Sequence, residues 1–326
     1  MRTLVVDLLG GLGDLVMVLP SVHALRDADP GGELVVLTHA PGAVLLERDP
    51  AVSAVRVSAP HAERAAVGSA LADLAPDLVV TTTRFDGIGD LVDDDAAARG
   101  TRAVSNLWRS PPPDELVGER YQRILAAEGV IADRVRPPRV VLGDDERAAG
   151  RQATAALPDG TVLLVPAAGM AVKRWPAPRW VALARALRDA GRGVAAVGED
   201  VDGVPTLPPT DLRGLAARVA AVGERGGVVV GGDTGPVRVA AAVGAPTVAL
   251  FGPTLATRYG LEEGRDLQGF PGCPHRRPTA ITEQVCWWDA GCPLSDAGPA
   301  CLEDLPVAEV LTAVRAAAAT AGAVIG

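Results

Sequence analysis

Residues 228–254 read VVVGGDTGPVRVAAAVGAPTVALFGPT, and this stretch indicates the fold more clearly than any other. A β-branched run ends in the glycine turn 231–235, a helical pattern begins at Pro236, and another β-branched run begins at Thr247. Proline suits the first turn of a helix, where its missing N–H group loses no hydrogen bond. Strand, glycine loop, helix and strand in this order are typical of a parallel α/β sheet.

The same alternation of strand and helix patterns fills most of the chain, in two blocks. The first block ends at Pro137-Pro138, a pair that disfavours helix and indicates a linker. At 326 residues the chain is long enough for two domains with separate cores. We therefore predict an α/β protein with two doubly wound, Rossmann-like domains, over residues 1–138 and 139–326. We expect the two domains to face each other across a cleft, where the carboxyl ends of the strands bind ligands.

The composition limits the classes of function. The formal net charge of -9 argues against a nucleic-acid-binding protein, because phosphate backbones require clustered positive charge. No run approaches ~18 apolar residues, so no transmembrane helix is expected. The chain begins directly with a strand pattern and shows no signal peptide, which predicts a cytoplasmic protein. Lys173 is the only lysine, which raises the question of what a compact ammonium does there that a guanidinium cannot.

A glycine turn, Gly10-Gly11-Leu12-Gly13-Asp14, follows the first strand pattern. A dinucleotide-binding fingerprint would need a third glycine where the chain has Val16, and the Walker phosphate loop is absent as well. The turn leaves Asp14 at the start of a helix. Asp14 either caps that helix or serves as a general base that takes a proton from an acceptor hydroxyl.

Two loops of the second block have the features of a phosphate site. Residues 166–169, Pro-Ala-Ala-Gly, let a ligand approach the backbone, and Lys173 and Arg174 supply positive charge. In the other loop, the hydroxyl of Thr234 and the amides around Gly235 lie at a helix N-terminus, where the helix dipole favours an anion. Taken separately, the first loop is also consistent with an ordinary loop with solvated charges, and the second with a helix cap. Together they predict a diphosphate site.

Three segments resemble glycosyltransferase family 9, the ADP-heptose:lipopolysaccharide heptosyltransferase family. They read GLGDLVMVLPSVHALR from Gly11, VPAAGMAVKRWPAPRWVALARAL from Val165, and the stretch from Val228 to Thr254 quoted above. The resemblance implies a GT-B fold, with the acceptor bound mainly by the N-terminal domain and the nucleotide sugar by the C-terminal one. It also implies transfer of a sugar with inversion and without a required catalytic metal.

Carried over position by position, the resemblance makes Asp14 the catalytic base. Lys173 becomes a ligand of the donor phosphates, where it offsets charge that develops on the leaving diphosphate. The implied donor is ADP-heptose, and the residues predicted to bind a donor are Gly13, Ala168, Gly169, Lys173, Glu199, Asp233, Thr234, Gly235 and Arg238. Glu199 is assigned to the ribose or base. Arg238 stands where the family usually has histidine; arginine also binds phosphate, but the identity of the donor sugar stays open.

The chain has four cysteines, all in one irregular region that we interpret as an insertion, about residues 264–305: Cys273, Cys286, Cys292 and Cys301. Their spacing is not that of paired zinc-knuckle cysteines, so the clustering is the signal. In a reducing cytoplasm four thiolates suit a structural Zn or Fe ion, with His275 as a substitute ligand. The heptosyltransferases that modify autotransporters, which this chain resembles, have a cysteine-bound iron, and the resemblance implies such a site here. Free thiols and disulfides are the alternatives.

Aromatic residues add weaker hypotheses. Trp287 and Trp288 either stack on a sugar or base or form the core of the insertion, and Trp108 and Tyr121 are candidate acceptor contacts. Two other functions stay open. One is a GT-B transferase with another nucleotide sugar and a natural-product acceptor; the other is a nucleotide-sugar-binding protein without a catalytic step, which the retention of Asp14 disfavours.

Overall fold

The computed structural model describes residues 1–105, 107 and 112–324, with side chains described as far as residue 320. The chain forms two compact units. The first lies within Met1–Pro111 and Val117–Val141, and the second within Pro112–Leu116 and Leu142–Gly326. Trp108, which the sequence suggested as an acceptor contact, lies outside the described residues.

The first unit is built on a five-stranded parallel sheet. Its strands are β1 (Arg2–Val6), β2 (Glu33–His39), β3 (Ala54–Ser58), β4 (Leu78–Thr81) and β5 (Arg102–Val104). Its helices are α1 (Leu12–Ala28), α2 (Ala40–Leu46), α3 (Glu63–Leu74), α4 (Ile88–Arg99) and α5 (Val117–Ala127). The central strands are runs of leucine and valine because parallel strands are covered on both faces. The strand order is β3-β2-β1-β4-β5, and Thr3 lies in register with Leu34 and Leu78.

The second unit repeats this plan with a different strand order, β10-β9-β8-β6-β7, again all parallel. Its strands are β6 (Val162–Val165), β7 (Val194–Ala196), β8 (Val228–Gly232), β9 (Thr247–Phe251) and β10 (Arg265–Gln268). Its helices are α6 (Asp144–Ala153), α7 (Ala177–Asp189), α8 (Leu212–Glu224), α9 (Gly235–Ala242), α10 (Ala256–Tyr259), α11 (Ala300–Glu303) and α12 (Val307–Val324). The core joins β6, β8 and β9 to α7 and α12 through buried valine, leucine and tryptophan side chains.

Each sheet has one point where the order of strands reverses. In the first unit it lies between β1 and β4, and in the second between β6 and β8. In open α/β sheets the loops that leave two such strands in opposite directions open a crevice at their carboxyl ends, and ligands bind there. The loops after β1, β6 and β8 are the three glycine-rich or small-residue loops that the sequence singled out.

The stretch that opened the sequence analysis folds as predicted into β8, α9 and β9. The sequence patterns did not assign α4, β5 or α5. Residues 269–299 are largely irregular, whereas residues 265–268 form β10 and pair with β9. This strand, Arg-Asp-Leu-Gln, has no β-branched run because it is a half-exposed edge strand. Among the helices that the structure describes, none is long and apolar enough to cross a membrane.

Candidate functional site

The reversal point of the second sheet brings Lys173 and Asp233 together. Lys173 ends a short 3-10 turn after β6, and Asp233 follows β8 directly. The Nζ atom of Lys173 donates to Oδ2 of Asp233 at 2.8 Å and to its carbonyl oxygen at 3.3 Å. A Cβ atom at Gly232 would lie 2.9 Å from the carbonyl oxygen of Lys173, so glycine allows the two loops to approach this closely.

Asp233 is a buried carboxylate shared between two cations. Besides Lys173, Arg238 donates from Nη2 to Oδ1 at 2.7 Å, and the hydroxyl of Thr254 donates to Oδ2 at 2.9 Å. Burial by itself would raise the pKa of Asp233, but the charges of Lys173 and Arg238 hold that pKa well below its usual range. With the carboxylate ionised, the three charged groups leave one net positive charge at this edge of the sheet.

Arg238 points into the protein, on the first turns of α9. Its guanidinium donates to Asp233 and to the carbonyl oxygen of Tyr259, and Nη1 lies 3.5 Å from the carbonyl oxygen of Gly260. The residue is buried. Of the residues predicted to bind a donor, Arg238 therefore lies behind Asp233 in this structure, while Lys173 keeps a side chain that is 19% exposed.

The N-terminus of α9 presents Thr234. Thr234 precedes the helix in extended conformation, and its side chain makes no capping hydrogen bond. Its Oγ1 atom is buried without a hydrogen-bond partner among the described residues. A buried hydroxyl without a partner costs free energy and calls for an explanation such as a ligand that the site is built to bind. The hydroxyl and the positive end of the helix dipole together suit an anion.

The other predicted donor residues line the loops after β6 and β7. Ala168 is buried, and its carbonyl oxygen accepts a hydrogen bond from Nε of Arg174 at 3.3 Å. The space where a side chain of Gly169 would stand is open. Glu199 is exposed and lies 3.7 Å from Nη1 of Arg174. The structure thus places Glu199 beside Arg174 rather than beside Lys173.

A hollow of about 500 Å³ opens at the carboxyl ends of β6 and β7. This volume is within the range of small-molecule sites. Sequence reasoning missed most of its lining, which is apolar with a few polar groups and includes Val165, Val197, Asp200, Leu207, Pro208 and Arg218. The pair Pro208-Pro209 after β7 was a local signal for a rigid loop at this edge, but it does not by itself indicate a ligand.

In the first unit, Asp14 lies in the first turn of α1. Its Oδ2 accepts a hydrogen bond from the backbone N–H of Gly11, the residue before the helix, at 3.0 Å, which is the carboxylate half of a capping box. The capping interpretation of Asp14 is therefore realised, and it leaves the carboxylate half-buried at the reversal point of the sheet. Gly13 occupies the same first turn.

A second carboxyl group, which the sequence analysis did not single out, lies next to this turn. Asp7 follows β1 directly, is buried, and accepts a hydrogen bond from the hydroxyl of Thr82 at 2.7 Å. Burial, together with the nearby charge of Asp14, raises the pKa of Asp7 to about 7. The position of Asp7, immediately after the first strand, was the signal that could have identified it.

The neighbouring tryptophans have opposite environments. Trp287 is 6% exposed and lies with its ring centroid 5.4 Å from Nζ of Lys173, whereas Trp288 is 75% exposed. The sequence hypothesis treated them as a pair, and the structure separates them. Tyr121, suggested as an acceptor contact, is buried in the first unit.

The four cysteines line one cavity of about 20 Å³, together with His275 and Arg276. All four are free thiols, and burial raises the pKa of Cys301 to about 12. Within the described ranges, no three His, Cys, Asp or Glu side chains take positions that could hold a metal ion. The structure thus shows no arranged set of ligands among these described residues, and the Zn or Fe site stays a prediction. The segment is organised instead by the buried guanidinium of Arg276, which donates to the carbonyl oxygens of Gly252, Gly269, Phe270 and Pro271.

Comparison with solved structures shows the same fold over nearly the whole chain. A glycosyl transferase family 9 protein from Veillonella parvula is 16% identical, with a TM-score of 0.73 and coverage of 98% of this chain and 97% of that one. Escherichia coli ADP-heptose LPS heptosyltransferase II is 20% identical, with a TM-score of 0.69 and coverage of 98% and 99%. The E. coli heptosyltransferase WaaC, solved with ADP-2-deoxy-2-fluoro heptose, is 19% identical, with a TM-score of 0.64 and coverage of 97% and 99%. These likenesses confirm the predicted GT-B fold.

No curated protein matches the sequence. The profile of the family described as glycosyltransferase family 9 (heptosyltransferase) matches residues 95–266, which is more than half of the 326-residue chain. That match contains the loops of Lys173 and Thr234 described above. The chain therefore belongs to glycosyltransferase family 9.

Proposed function

We propose that this glycosyltransferase moves a heptose from ADP-heptose to an acceptor hydroxyl, with inversion at the anomeric carbon. One observation carries the proposal: Lys173 and the Thr234 hydroxyl, which has no partner in the described part of the chain, lie on the two loops that leave the reversal point of the second sheet. A diphosphate at that point would meet the ammonium, the hydroxyl and the N-terminus of α9. The second unit is then the donor domain and the first unit the acceptor domain.

The charges of this site suit the leaving group. In the transfer step, the bond between the anomeric carbon and the diphosphate oxygen breaks, and its electron pair leaves with the diphosphate. Lys173 and the Thr234 hydroxyl would stabilise that negative charge more strongly in the transition state than in the bound donor. Arg238 would act through Asp233, because its guanidinium is directed at that carboxylate and not at the loop surface.

The hollow beside β7 is the proposed binding site of the nucleoside part of the donor. It lies next to the phosphate site, since its lining includes Val165, the last residue of β6, and Pro236, in the first turn of α9. Gly198 and Asp200 line the hollow on either side of Glu199 in the chain. We therefore assign the base and ribose of the donor to this hollow, with Glu199 at its rim. Gly169 leaves room for the donor to approach the backbone.

Asp14 is the proposed base. Its carboxylate would take the proton of the acceptor hydroxyl as the oxygen of that hydroxyl forms a bond with the anomeric carbon. Heptose and ADP are proposed because two solved proteins of the same fold are described as heptosyltransferases, one of them with an ADP-heptose analogue bound.

Nucleotide selectivity tests the donor assignment. A ligand that binds only the folded state stabilises it by about 2.7 kcal/mol at a hundredfold excess over Kd. If the site selects adenine, ADP should therefore raise the unfolding temperature of the protein more than GDP, UDP or dTDP does at the same concentration. Preference for another nucleotide would replace the proposed donor but keep the diphosphate site. A protein that none of the four nucleotides stabilises would contradict the proposal as a whole.

Two substitutions at Asp14 separate the base from the cap. Asp14→Asn keeps an oxygen that accepts the hydrogen bond from Gly11 but takes up no proton, so we expect normal stability, normal ADP binding and a loss of turnover of about 10²–10⁴-fold. Asp14→Ala should lose turnover and also about 1 kcal/mol of stability. If Asp14→Asn retained turnover, Asp14 would be a cap alone.

A further inference from the structure

Trp287 is held in place by its own segment. Its backbone N–H donates to the carbonyl oxygen of Gln284 at 3.0 Å. The side chain of Gln284 is buried, accepts a hydrogen bond from the backbone of Arg277 at 2.9 Å and donates to the carbonyl oxygen of Ile281 at 3.2 Å. Trp287 is buried, while the next residue, Trp288, faces solvent. The backbone that carries Trp287 is thus held by hydrogen bonds within its own segment.

The ring of Trp287 faces the ammonium of Lys173. The distance of 5.4 Å from Nζ to the ring centroid is within the range of a cation–π contact, which runs to about 6 Å. The same ammonium donates to Asp233 at 2.8 Å. Lys173 therefore has two anchors, a carboxylate from the loop after β8 and an aromatic ring from the cysteine-containing segment. Because the lysine is mostly buried, the ring contact is weakly screened by water.

A bound diphosphate would weaken one of the two anchors of Lys173 but not the other. An incoming diphosphate competes with Asp233 for the ammonium, since both are anions, whereas the ring does not compete for hydrogen-bond donors. If the carboxylate alone held Lys173, its flexible four-carbon side chain could change rotamer when that contact weakens. A compact ammonium also fits over the ring while it donates to Asp233, which gives a role to the single lysine of the chain.

We propose that Trp287 is a positioning residue, whose ring holds the Lys173 ammonium where it binds the diphosphate of the donor. The inference rests on the proposed function, in which Lys173 binds that diphosphate. It makes the segment that follows β10 a part of the donor site, through a contact with Lys173 that differs from the direct stacking on a sugar or base suggested by the sequence. Trp287 acts through Lys173 and takes no part in the reaction itself.

A double-mutant cycle with ADP as the probe tests this role. We expect Trp287→Leu to weaken ADP binding about three- to tenfold and Trp287→Phe, which keeps an aromatic face, to weaken it less than about threefold. Trp288→Leu, the exposed neighbour, is the matched control and should leave the affinity unchanged. In the Lys173→Met background, Trp287→Leu should cause no further loss, because the ammonium that the ring holds is gone. Thermal unfolding of each variant reports whether it is folded.

The outcomes distinguish the two proposals. If Lys173→Met weakens ADP binding but Trp287→Leu has the same effect in both backgrounds, the ring supports the fold and the positioning role is refuted. An unchanged affinity in Trp287→Leu with Lys173 present would refute it as well. If Lys173→Met binds ADP as the wild type does, the proposed function fails first, and the role of Trp287 fails with it.

Discussion

The hydroxyl of Thr234 is buried without a partner among the described residues. We expect this hydroxyl to lower the stability of the protein and to raise its affinity for ADP. Thr234→Val keeps the shape of the side chain and removes the hydroxyl. We expect the free energy of unfolding to stay equal or to rise by about 1 kcal/mol, because an unsatisfied buried group is lost. ADP affinity should fall about tenfold or more, since hydrogen bonds to charged groups are worth about 1.5–3 kcal/mol. Chemical denaturation and calorimetry measure the two effects. A variant that is less stable yet binds ADP normally would mean that the hydroxyl serves the fold.

Asp7 gives the first unit a dependence of stability on pH. Its pKa is about 7 in the folded protein and near 3.8 without the fold. Between these values the unfolded chain releases a proton that the folded chain keeps. The free energy of unfolding therefore falls as the pH rises from about 4 to 7, by roughly 4 kcal/mol.

Asp7→Asn should remove this contribution while the side chain still accepts the hydrogen bond from Thr82. We expect denaturation at pH 5 and pH 8 to show a smaller difference in the variant than in the wild type. Asp94→Asn, at an exposed position of α4, is the control and should follow the wild type. An unchanged difference in Asp7→Asn would show that Asp7 titrates normally in the fold.

At the scale of elements, Asp233 joins the loop after β8 to the loop of Lys173 and to α9. Asp233→Asn removes the negative charge that the two cations share and leaves them uncompensated. We expect a loss of about 3 kcal/mol of stability, because a broken buried ion pair costs more than the pair contributes. Thr254→Val, which removes a neutral donor but leaves the carboxylate and both cations, should cost less, about 1.5 kcal/mol. Equal losses in the two variants, measured by urea denaturation, would contradict the account of a charge-sharing carboxylate.

The cysteine-containing segment depends on one buried arginine. Arg276 donates to carbonyl oxygens of Gly252 and of residues 269–271. Arg276→Gln should leave several of these acceptors unsatisfied and lower stability by about 2–4 kcal/mol, with faster proteolytic cleavage in residues 271–299. Arg277→Gln, at an exposed position, is the matched control. Cleavage at the wild-type rate in Arg276→Gln would show that other contacts order the segment.

At the scale of the whole molecule, the sequence indicated two doubly wound units because glycine loops and alternating patterns are local features. The GT-B fold and the family were predicted from the three quoted segments, and the comparisons confirm both. The division of roles between the two units, the roles of Asp14 and Lys173, and the cytoplasmic location stay predictions. The Zn or Fe site also stays a prediction, since the four thiols share a cavity, but no group of three potential metal ligands is arranged around an ion position among the described residues.

What could not be predicted depends on contacts between distant parts of the chain. The irregular segment that carries Trp287 has no periodicity to indicate which side chain turns inward, so its contact with Lys173 required the structure. Arg238 was predicted to bind phosphate because it stands where the family usually has histidine, but the direction of its side chain is decided by Asp233 and by the carbonyl oxygen of Tyr259. Asp7 resembles an ordinary strand end until its burial and its nearness to the turn of Asp14 are seen.

The account depends most on the diphosphate site of Lys173, and a calorimetric titration of ADP into the wild type and Lys173→Met tests it directly. The methionine keeps the apolar stem and leaves Arg238 paired with Asp233, so the variant should fold. We predict one ADP site in the wild type and an affinity at least about tenfold lower in the variant, as expected when a charge-assisted contact to phosphate is lost. Equal affinities in the two proteins, or no binding by the wild type, would contradict the account.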